Sequence, residues 1–303
     1  MAGIDRTPSP RSRVTVSLLA AVVVLAGCAS ARPAGGAAAV VLDRAALDLV
    51  AGTGTVAADD RLLRSAEDEL IRRCMTAAGW PEQPEPPAGP SVDSHDDERH
   101  PDREKRSVIG YGFHDAYRGA SPVPEPEPPA KQLALLGTHA ARSHIDLPSG
   151  RRFDFSTDGC LAEARAALYG TPERAARSFY TVQDAALALA PRIPADPDYR
   201  RGLDAWSTCM AERGHHHPTP TAARTAMSDR YRAEGVSPAL REQEVALAVA
   251  DADCALTAGL PQLGETVVER LVAGLPEADR AVLAEASRIR TEAVRRAAEV
   301  VPG

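Results

Sequence analysis

Apolar residues recur every three or four positions along much of the chain, which is the spacing of one face of an α-helix. The first clear run covers residues 59–78 and is followed by Gly79, a residue type common just past a helix end. Later in the chain, a proline directly follows Thr171, Asp196 and Ser237, and proline is favoured in the first turn of a helix. The pattern therefore predicts a mostly α-helical protein with helix starts at these three places.

The apolar positions of these runs define the helix faces that we expect to pack into a core. They are Leu62, Ala66, Leu70, Cys74 and Ala78 in the first helix (within 59–80), Tyr199, Leu203, Trp206 and Met210 after Asp196, Val245, Val249, Ala252 and Leu256 after Ser237, and Val282, Ala286, Ile289, Ala293 and Val300 near the end. The last helical pattern covers 265–300 and is broken or kinked at Pro276, since proline interrupts a helix. Such stripes are typical of core-facing helices, and a coiled-coil partner site is the alternative.

Between the first helix and the later ones the pattern changes. A short helical stretch lies near 133–141, and residues 144–155 alternate like a hairpin with Pro-Ser-Gly at its turn. Thr157 or Asp158 then begins a helix that ends at Tyr169. The expected fold is thus helical with one small β-hairpin, and residues 131–303 are its main helical domain.

Residues 81–130 read as a proline-rich polar linker or long loop, because eleven prolines interrupt a charged stretch. An aromatic island within it contains Tyr111, Phe113, His114 and Tyr117, which a fully solvated linker would not need. Three interpretations stay open for the island: it docks back on the helical domain, it binds a ligand or partner, or His114 or Asp115 is catalytic. We name the four residues as candidates for ligand or partner binding.

The first 27 residues have the features of a bacterial lipoprotein signal peptide. Three arginines precede an apolar run at 14–25 that is too short to span a membrane, and the run ends in Leu-Ala-Gly-Cys. In this pattern Cys28 is acylated and becomes the new N-terminus, and two acyl chains give lasting membrane attachment. Residues 28–58 would then form a tether and lead-in. An ordinary secretory signal with a chance cysteine is the alternative.

Composition narrows the possible partners and chemistry. The formal net charge is −7 over 303 residues, which argues against nucleic acid as a partner. The chain has two lysines and no asparagine, so asparagine is excluded from catalysis and lysine nearly so. We find no phosphate-binding glycine loop, nucleophile elbow or HExxH pair in the sequence, and no motif indicates a cofactor.

Apart from Cys28, four cysteines remain, and they fall into a loose duplication. They are Cys74, Cys160, Cys209 and Cys254. Each half contains Cys-Met-x-x-x-Gly at the end of a helix, followed by a second helix that carries a cysteine and ends in glycine. An even set outside the cytoplasm indicates two disulfides, and three connectivities are possible. The duplication favours Cys74–Cys160 and Cys209–Cys254.

Two stretches resemble a group of secreted actinobacterial lipoproteins. They are W-x-x-C-M-x-x-x-G at 206–214 and GC-x-x-E-A-x-x-x-L-Y-G at 159–170. The resemblance covers most of the chain after residue 27 and is weaker over 81–130. It implies an extracytoplasmic location and a similar fold. It carries over no catalytic residue.

One cluster has coordination chemistry, the His215-His216-His217 run before Pro218. Adjacent histidines in an extended loop point to alternate sides, so His215 and His217 are the pair that could share a metal such as zinc, copper or nickel. A polar loop that binds no metal is the alternative.

The function expected from these features is a lipid-anchored protein on the extracytoplasmic face of the bacterial cell membrane. We expect it to have a non-catalytic binding or structural role, with an envelope protein or cell-wall component as a possible partner. Two alternatives from other classes are an envelope hydrolase and a metal-binding lipoprotein that uses the 215–217 loop.

Overall fold

A computed structural model describes residues 42–81, 101–119 and 126–301. Its helices are α1 (Arg44–Ala51), α2 (Val56–Ala77), α3 (Arg103–Ile109), α4 (Phe113–Arg118), α5 (Pro129–Leu136), α6 (Gly159–Tyr169), α7 (Pro172–Leu189), α8 (Pro197–Glu212), α9 (Pro220–Glu234), α10 (Pro238–Thr257), α11 (Leu260–Ala273) and α12 (Glu277–Val300). Strands β1 (Arg142–Asp146) and β2 (Arg152–Ser156) form one antiparallel hairpin. The mostly α-helical fold with a small hairpin is thus confirmed. Within these residues no helix is long and apolar enough to cross a bilayer.

Short polar side chains followed by proline fix the starts of four consecutive helices. The side chains of Thr171, Asp196, Thr219 and Ser237 each accept a hydrogen bond from a backbone N–H in the first turn of α7, α8, α9 and α10. The following proline lacks an N–H at a position where the helix has no partner for one. Three of these starts were predicted. Helix α9 was missed, although Thr219-Pro220 has the same signature.

The first helix with the Cys-Met sequence belongs to the same core as the later helices. Helix α2 packs against α6 and α12, and α12 also packs against α7. Leu63, Ala66, Leu168, Ala293 and Ala297 form a buried cluster between them. The described residues belong to one compact unit, so the helix within 59–80 is part of the main domain.

The lead-in expected at 28–58 also contains a helix that is part of the core. Asp43 caps α1 by accepting from the N–H of Ala46 at 2.9 Å. Val50 and Ala51 are buried beside Leu189 and Val272 from α7 and α11. The apolar positions of this short helix are too few to stand out in the sequence, which is why it was read as a tether.

The core-facing side of helix α10 is only partly the one predicted. Of the predicted positions, Ala252 is buried and Val245 and Val249 are half-buried, whereas Leu256 is 48% exposed. Leu240, Leu247 and Cys254 are buried instead, and Glu244 and Asp251 lie on the same buried face, with 0% and 1% exposure. The apolar pattern alone did not include these two acidic residues.

Two disulfides join helices in the expected pairs. Cys74 of α2 is bonded to Cys160 of α6 with a Cα–Cα distance of 5.5 Å. Cys209 of α8 is bonded to Cys254 of α10 with a Cα–Cα distance of 5.7 Å. In each bridge the first cysteine is half-buried and the second is buried. The connectivity favoured by the duplication is confirmed.

The hairpin lies against α7. Ile145 and Phe155 are buried beside Ala176, and the turn is fixed by the carboxylate of Asp184, which accepts from the Ser149 hydroxyl at 2.6 Å. Arg151 donates to the same carboxylate at 2.6 Å. The hairpin is therefore held both by apolar packing and by a polar anchor at its tip.

Candidate functional site

Residues 103–118, expected to be linker, form helices α3 and α4 that pack against α9 and α10. We call this stretch the 103–118 segment. It brings Arg106, Tyr111 and His114 into the interior, where their exposure is 2%, 2% and 8%. Burial of charged and hydroxyl groups is costly unless each is hydrogen-bonded, so the partners of these residues define the site.

Asp251 of α10 is the centre of the first part of this network. Its Oδ2 accepts from Arg106 Nη1 at 2.8 Å and from the Tyr111 hydroxyl at 3.0 Å. Its Oδ1 accepts from Trp206 Nε1 at 2.9 Å. Arg106 also donates to the carbonyl of Ala248 at 3.3 Å. One buried carboxylate thus joins the 103–118 segment to α8 and α10.

Glu244, about two turns earlier in α10, forms the second part. Its Oε1 accepts from the backbone N–H of Phe113 at 2.8 Å. Its Oε2 accepts from the N–H of His114 at 3.1 Å and from the Tyr231 hydroxyl at 2.7 Å. The carboxylate therefore caps the N-terminus of α4 from another helix, where a negative charge is favourable.

Gly110 permits the Glu244 side chain to lie close to the backbone at the join between α3 and α4. Its φ is +63°, and a Cβ built there would lie 2.9 Å from Cγ of Glu244. Any other residue would be strained by the backbone and would also push the carboxylate away from the first turn of α4. A glycine is therefore required at the join between α3 and α4.

The aromatic side chains of the island are packed into this interface. Tyr117 stacks on Tyr231 with ring centroids 5.6 Å apart, and the guanidinium of Arg224 lies 4.8 Å from the centre of the Tyr111 ring. Burial raises the pKa of Tyr111 and also that of Tyr231, so both hydroxyls stay protonated and donate to the two carboxylates. Phe113 is half-buried in the same cluster.

The four candidate residues therefore meet each other, but inside the fold. Tyr111 and His114 are buried, and Phe113 and Tyr117 are half-buried. Their burial matches the docking alternative. The reason is that α10 supplies matching acceptors, Asp251 and Glu244, which composition alone does not reveal.

His114 forms a pair with Asp115 but lacks the geometry of a catalytic pair. Its Nδ1 lies 2.9 Å from Oδ1 of Asp115, and Asp115 is mostly exposed. Among the described residues, the hydrogen bonds of His114 reach only Asp115 and Glu244, and no serine or cysteine is bonded to it. A nucleophile activated by this histidine is not present there.

A cavity of about 480 Å³ lies next to the network, between α1, α8, α10 and α11. Its wall is mainly apolar and includes Ile193, Leu203, Ala255, Leu260 and Val268. The polar part of the wall contains Arg106, Asp251, Tyr199, Thr219, Thr221 and Glu265. A cavity of this size with few polar groups in an apolar wall is typical of a small-molecule site.

The histidine loop lies between α8 and α9. His215 and His217 are half-buried and His216 is exposed, which is the alternation expected for the loop. Burial lowers the pKa of His217, and the neighbouring His215 lowers it further. No group of three or more His, Cys, Asp or Glu side chains in the described part of the chain is placed to hold a metal.

Cys28, the proposed lipidation residue, is outside the described residues. The residues that sequence reasoning missed are Arg106, Arg224, Glu244 and Asp251. The available signal was the spacing of Glu244 and Asp251, which continues the apolar positions Leu240, Leu247 and Cys254 of the same helix.

Comparisons with known proteins add no assignment: no family model, curated protein or solved structure matches the chain.

Proposed function

We propose that this chain is a lipid-anchored protein of the extracytoplasmic face of the bacterial cell membrane, and that its helical domain is a non-catalytic binding module. The cavity between α1, α8, α10 and α11 is the ligand site. The observation that carries the binding role is the cavity itself, with an apolar wall of several helices and a buried ion pair, Arg106–Asp251, in its polar part.

The location is supported by two independent features. The lipobox ends at Cys28 after an apolar run of signal-peptide length. The other four cysteines form two disulfides, which persist in oxidising compartments and are rare in the cytosol. Together they favour a protein that is exported and then retained by acyl chains.

The burial of the aromatic island changes the expected partner. Tyr111, Phe113 and Tyr117 pack inside the domain, so we do not propose the island as a partner-binding surface. A concave site for a small molecule replaces it. The ion pair in its wall is 2% and 1% exposed, which keeps polar groups fixed in an otherwise apolar space.

A cavity-filling substitution tests the binding role. Gly264 of α11 lines the cavity, and a Cβ built there would lie 3.7 Å from Cε2 of Tyr199, an ordinary contact distance. Gly264→Leu should fill part of the cavity and abolish the fluorescence gain of the neutral dye Nile red. Gly264→Ala is the matched control and should retain it. Equal dye binding by both variants and the wild type would contradict a ligand site here.

Membrane attachment is tested separately. Cys28→Ala should move the protein from the membrane fraction to the soluble extracytoplasmic fraction, because the acyl chains are the proposed anchor. Retention of this variant in carbonate-washed membranes would contradict the lipoprotein assignment and leave the cavity test unaffected.

A further inference from the structure

The outer face of α7 presents no exposed charged side chain along its second half. Within residues 178–191, all of which the structure describes, the one charged residue is Asp184. Its side chain is 3% exposed and accepts from Ser149 and Arg151 at the tip of the hairpin. The carboxylate is therefore directed into the domain, and the outer face of this stretch is neutral.

Large apolar side chains lie on this neutral face. Phe179 and Leu187 are 60% and 54% exposed, and their spacing of eight residues places them on one side of the helix. Gln183 and Ala190, which are also exposed, continue the same row over a length of about 17 Å. Single exposed apolar residues are common on proteins, but an aligned row with no exposed charge within it is typical of a contact surface. We call this row the 179–190 face.

The exposed phenylalanine is supported by two further rings. Phe179 meets the Tyr180 ring edge-on with centroids 4.9 Å apart, and Tyr180 stacks on Phe153 of β2. Both supporting rings are half-buried against the hairpin core. Because these contacts hold the Phe179 ring in place, it loses little conformational freedom when another apolar phase covers it.

Basic side chains flank the 179–190 face. Arg177, 44% exposed, lies two residues before it, and Arg192 is exposed just after it. Arg151, 53% exposed, reaches the middle of α7 from the hairpin. Arg177 also pairs with Glu173, which lies one turn farther from the face. Exposed apolar residues bordered by arginines are typical of helices that lie in the headgroup region of an anionic bilayer.

The described chain begins next to this helix. Leu42, its first residue, packs in the same apolar cluster as Val182 and Ala185 of α7. Cys28 lies 14 residues earlier, and a stretch of that length spans at most about 50 Å when fully extended. An acyl anchor at Cys28 would therefore keep a bilayer within reach of the 179–190 face.

We propose that the 179–190 face docks on a bilayer that contains anionic phospholipid. Phe179 and Leu187 enter the boundary between headgroups and acyl chains, and the flanking arginines contact lipid phosphates. This inference rests on the lipid anchor of the proposed function, which brings the bilayer close. A second copy of the chain is a less favourable occupant, because a symmetric contact between two such faces would bring their arginines together.

A tryptophan on the face tests the docking. The acylated protein would be placed in mixed vesicles of phosphatidylglycerol and phosphatidylcholine whose brominated acyl chains quench tryptophan on contact. In a Trp80→Phe background the remaining Trp206 is buried. Added fluorescence from Phe179→Trp should shift to the blue and be quenched by these lipids. Val108→Trp is the matched control, because Val108 is 62% exposed on α3, and its fluorescence should not be quenched.

The outcomes separate this surface from the anchor. Failure of the wild-type protein to float with the vesicles would overturn both. Flotation with equal quenching of the two variants, or with no quenching of either, would overturn the docking surface and leave the anchor standing. A blue shift of Phe179→Trp without quenching would show that protein covers the face, as in a contact with a second copy, and would also overturn docking on lipid.

Substitution of a flanking arginine tests the preference for anionic lipid. In the Phe179→Trp protein, Arg192→Gln should lower the ratio of docked to undocked protein about fivefold in the mixed vesicles, the effect expected of one basic residue at an anionic surface. Vesicles of phosphatidylcholine alone should show little change. Arg200→Gln, at an exposed arginine of α8, is the matched control. Equal quenching of the Phe179→Trp protein in both kinds of vesicle would overturn the role of anionic lipid.

Discussion

The two disulfide-bonded helix pairs are alike in covalent geometry and opposite in their surroundings. The Cα–Cα distances are 5.5 Å for Cys74–Cys160 and 5.7 Å for Cys209–Cys254. The α2–α6 pair is packed by alanine and leucine, with ion pairs such as Arg165–Glu67 at the surface. The α8–α10 pair surrounds buried charges instead, with Trp206 and Arg106 bonded to Asp251.

A disulfide therefore joins the helices at an apolar interface in one pair and at a polar interface in the other. In the apolar interface of alanine and leucine, the bridge contributes mainly by closing a loop of the chain. A polar interface depends on fixed distances between donors and acceptors, so the same bridge also holds its geometry. The cavity lies beside the polar interface, which connects the second bridge with the proposed binding site.

The largest effect should come from removing the bridges in matched pairs. The closed loops have sequence separations of 86 and 45, which predict losses of about 4.6 and about 4 kcal/mol in the free energy of unfolding. The variants are Cys74→Ala/Cys160→Ala and Cys209→Ala/Cys254→Ala, measured by urea denaturation with circular dichroism.

Tryptophan fluorescence then distinguishes the two interiors. In a Trp80→Phe background Trp206 is the only tryptophan. Opening Cys209–Cys254 should change the Trp206 emission of the folded protein, because its partner Asp251 lies one turn before Cys254. Opening Cys74–Cys160 should leave it unchanged. A change in Trp206 emission on opening Cys74–Cys160, with none on opening Cys209–Cys254, would contradict the assignment of Trp206 to the interface of the second bridge.

The next effect concerns the buried carboxylate. Asp251→Ala should lower the free energy of unfolding by about 3 kcal/mol, because it removes the carboxylate that is paired at 2.8 Å with the buried guanidinium of Arg106. Asp253→Ala, two residues away on α10, removes only the partly exposed contacts with Arg103 and Arg213 and should cost less than about 1 kcal/mol. Similar losses in the two variants, measured by urea denaturation, would show that the network is not what stabilises this region.

A smaller effect is expected from close helix packing between α8 and α11. A Cβ at Gly202 would lie 2.7 Å from Cδ1 of Leu263 and 2.9 Å from Cδ2 of Leu260. Gly202→Ala should therefore destabilise the protein by about 1 kcal/mol, despite the higher helix propensity of alanine. Gly264→Ala, on the opposing helix with ordinary space around the new Cβ, should be neutral or stabilising in thermal denaturation. A stabilised Gly202→Ala variant would contradict the tight interface.

The smallest effect is a pH dependence from the histidine loop. Burial lowers the pKa of His217, and its neighbour His215 lowers it further. Below the unfolded-state pKa of about 6.5, the unfolded chain binds more protons than the folded one, so stability falls as the pH decreases through this range. His217→Gln should reduce this fall in urea denaturation between about pH 7.5 and about pH 5.5. His216→Gln, at an exposed position, should keep it. If the free energy of unfolding of His217→Gln fell with decreasing pH as steeply as that of the wild type, His217 would not be the group responsible.

Local chemistry accounts for what the sequence predicted well. A polar cap followed by proline determines a helix start within one turn, so α7, α8 and α10 began where expected. The duplication of Cys-Met-x-x-x-Gly likewise determined the pairing of the cysteines. Both signals are complete within a few neighbouring residues.

What the sequence did not predict depends on partners far away along the chain. The buried face of α10 includes Glu244 and Asp251 because their carboxylates are hydrogen-bonded by Tyr231, Tyr111 and Arg106. The 103–118 segment is ordered for the same reason, although its composition is that of a linker. The partners of α10 lie in other elements, in the 103–118 segment and in α8 and α9. Local sequence patterns therefore could not predict this network or the cavity beside it.

The order of the cysteines has a consequence for biogenesis. Each bridge joins two cysteines that are consecutive among the four. Along the sequence, the loop from 74 to 160 therefore ends before the loop from 209 to 254 begins. A chain that is exported with its N-terminus first would expose each pair in turn. The native connectivity would then form as the chain emerges, and no wrong bridge would have to be opened by a disulfide isomerase.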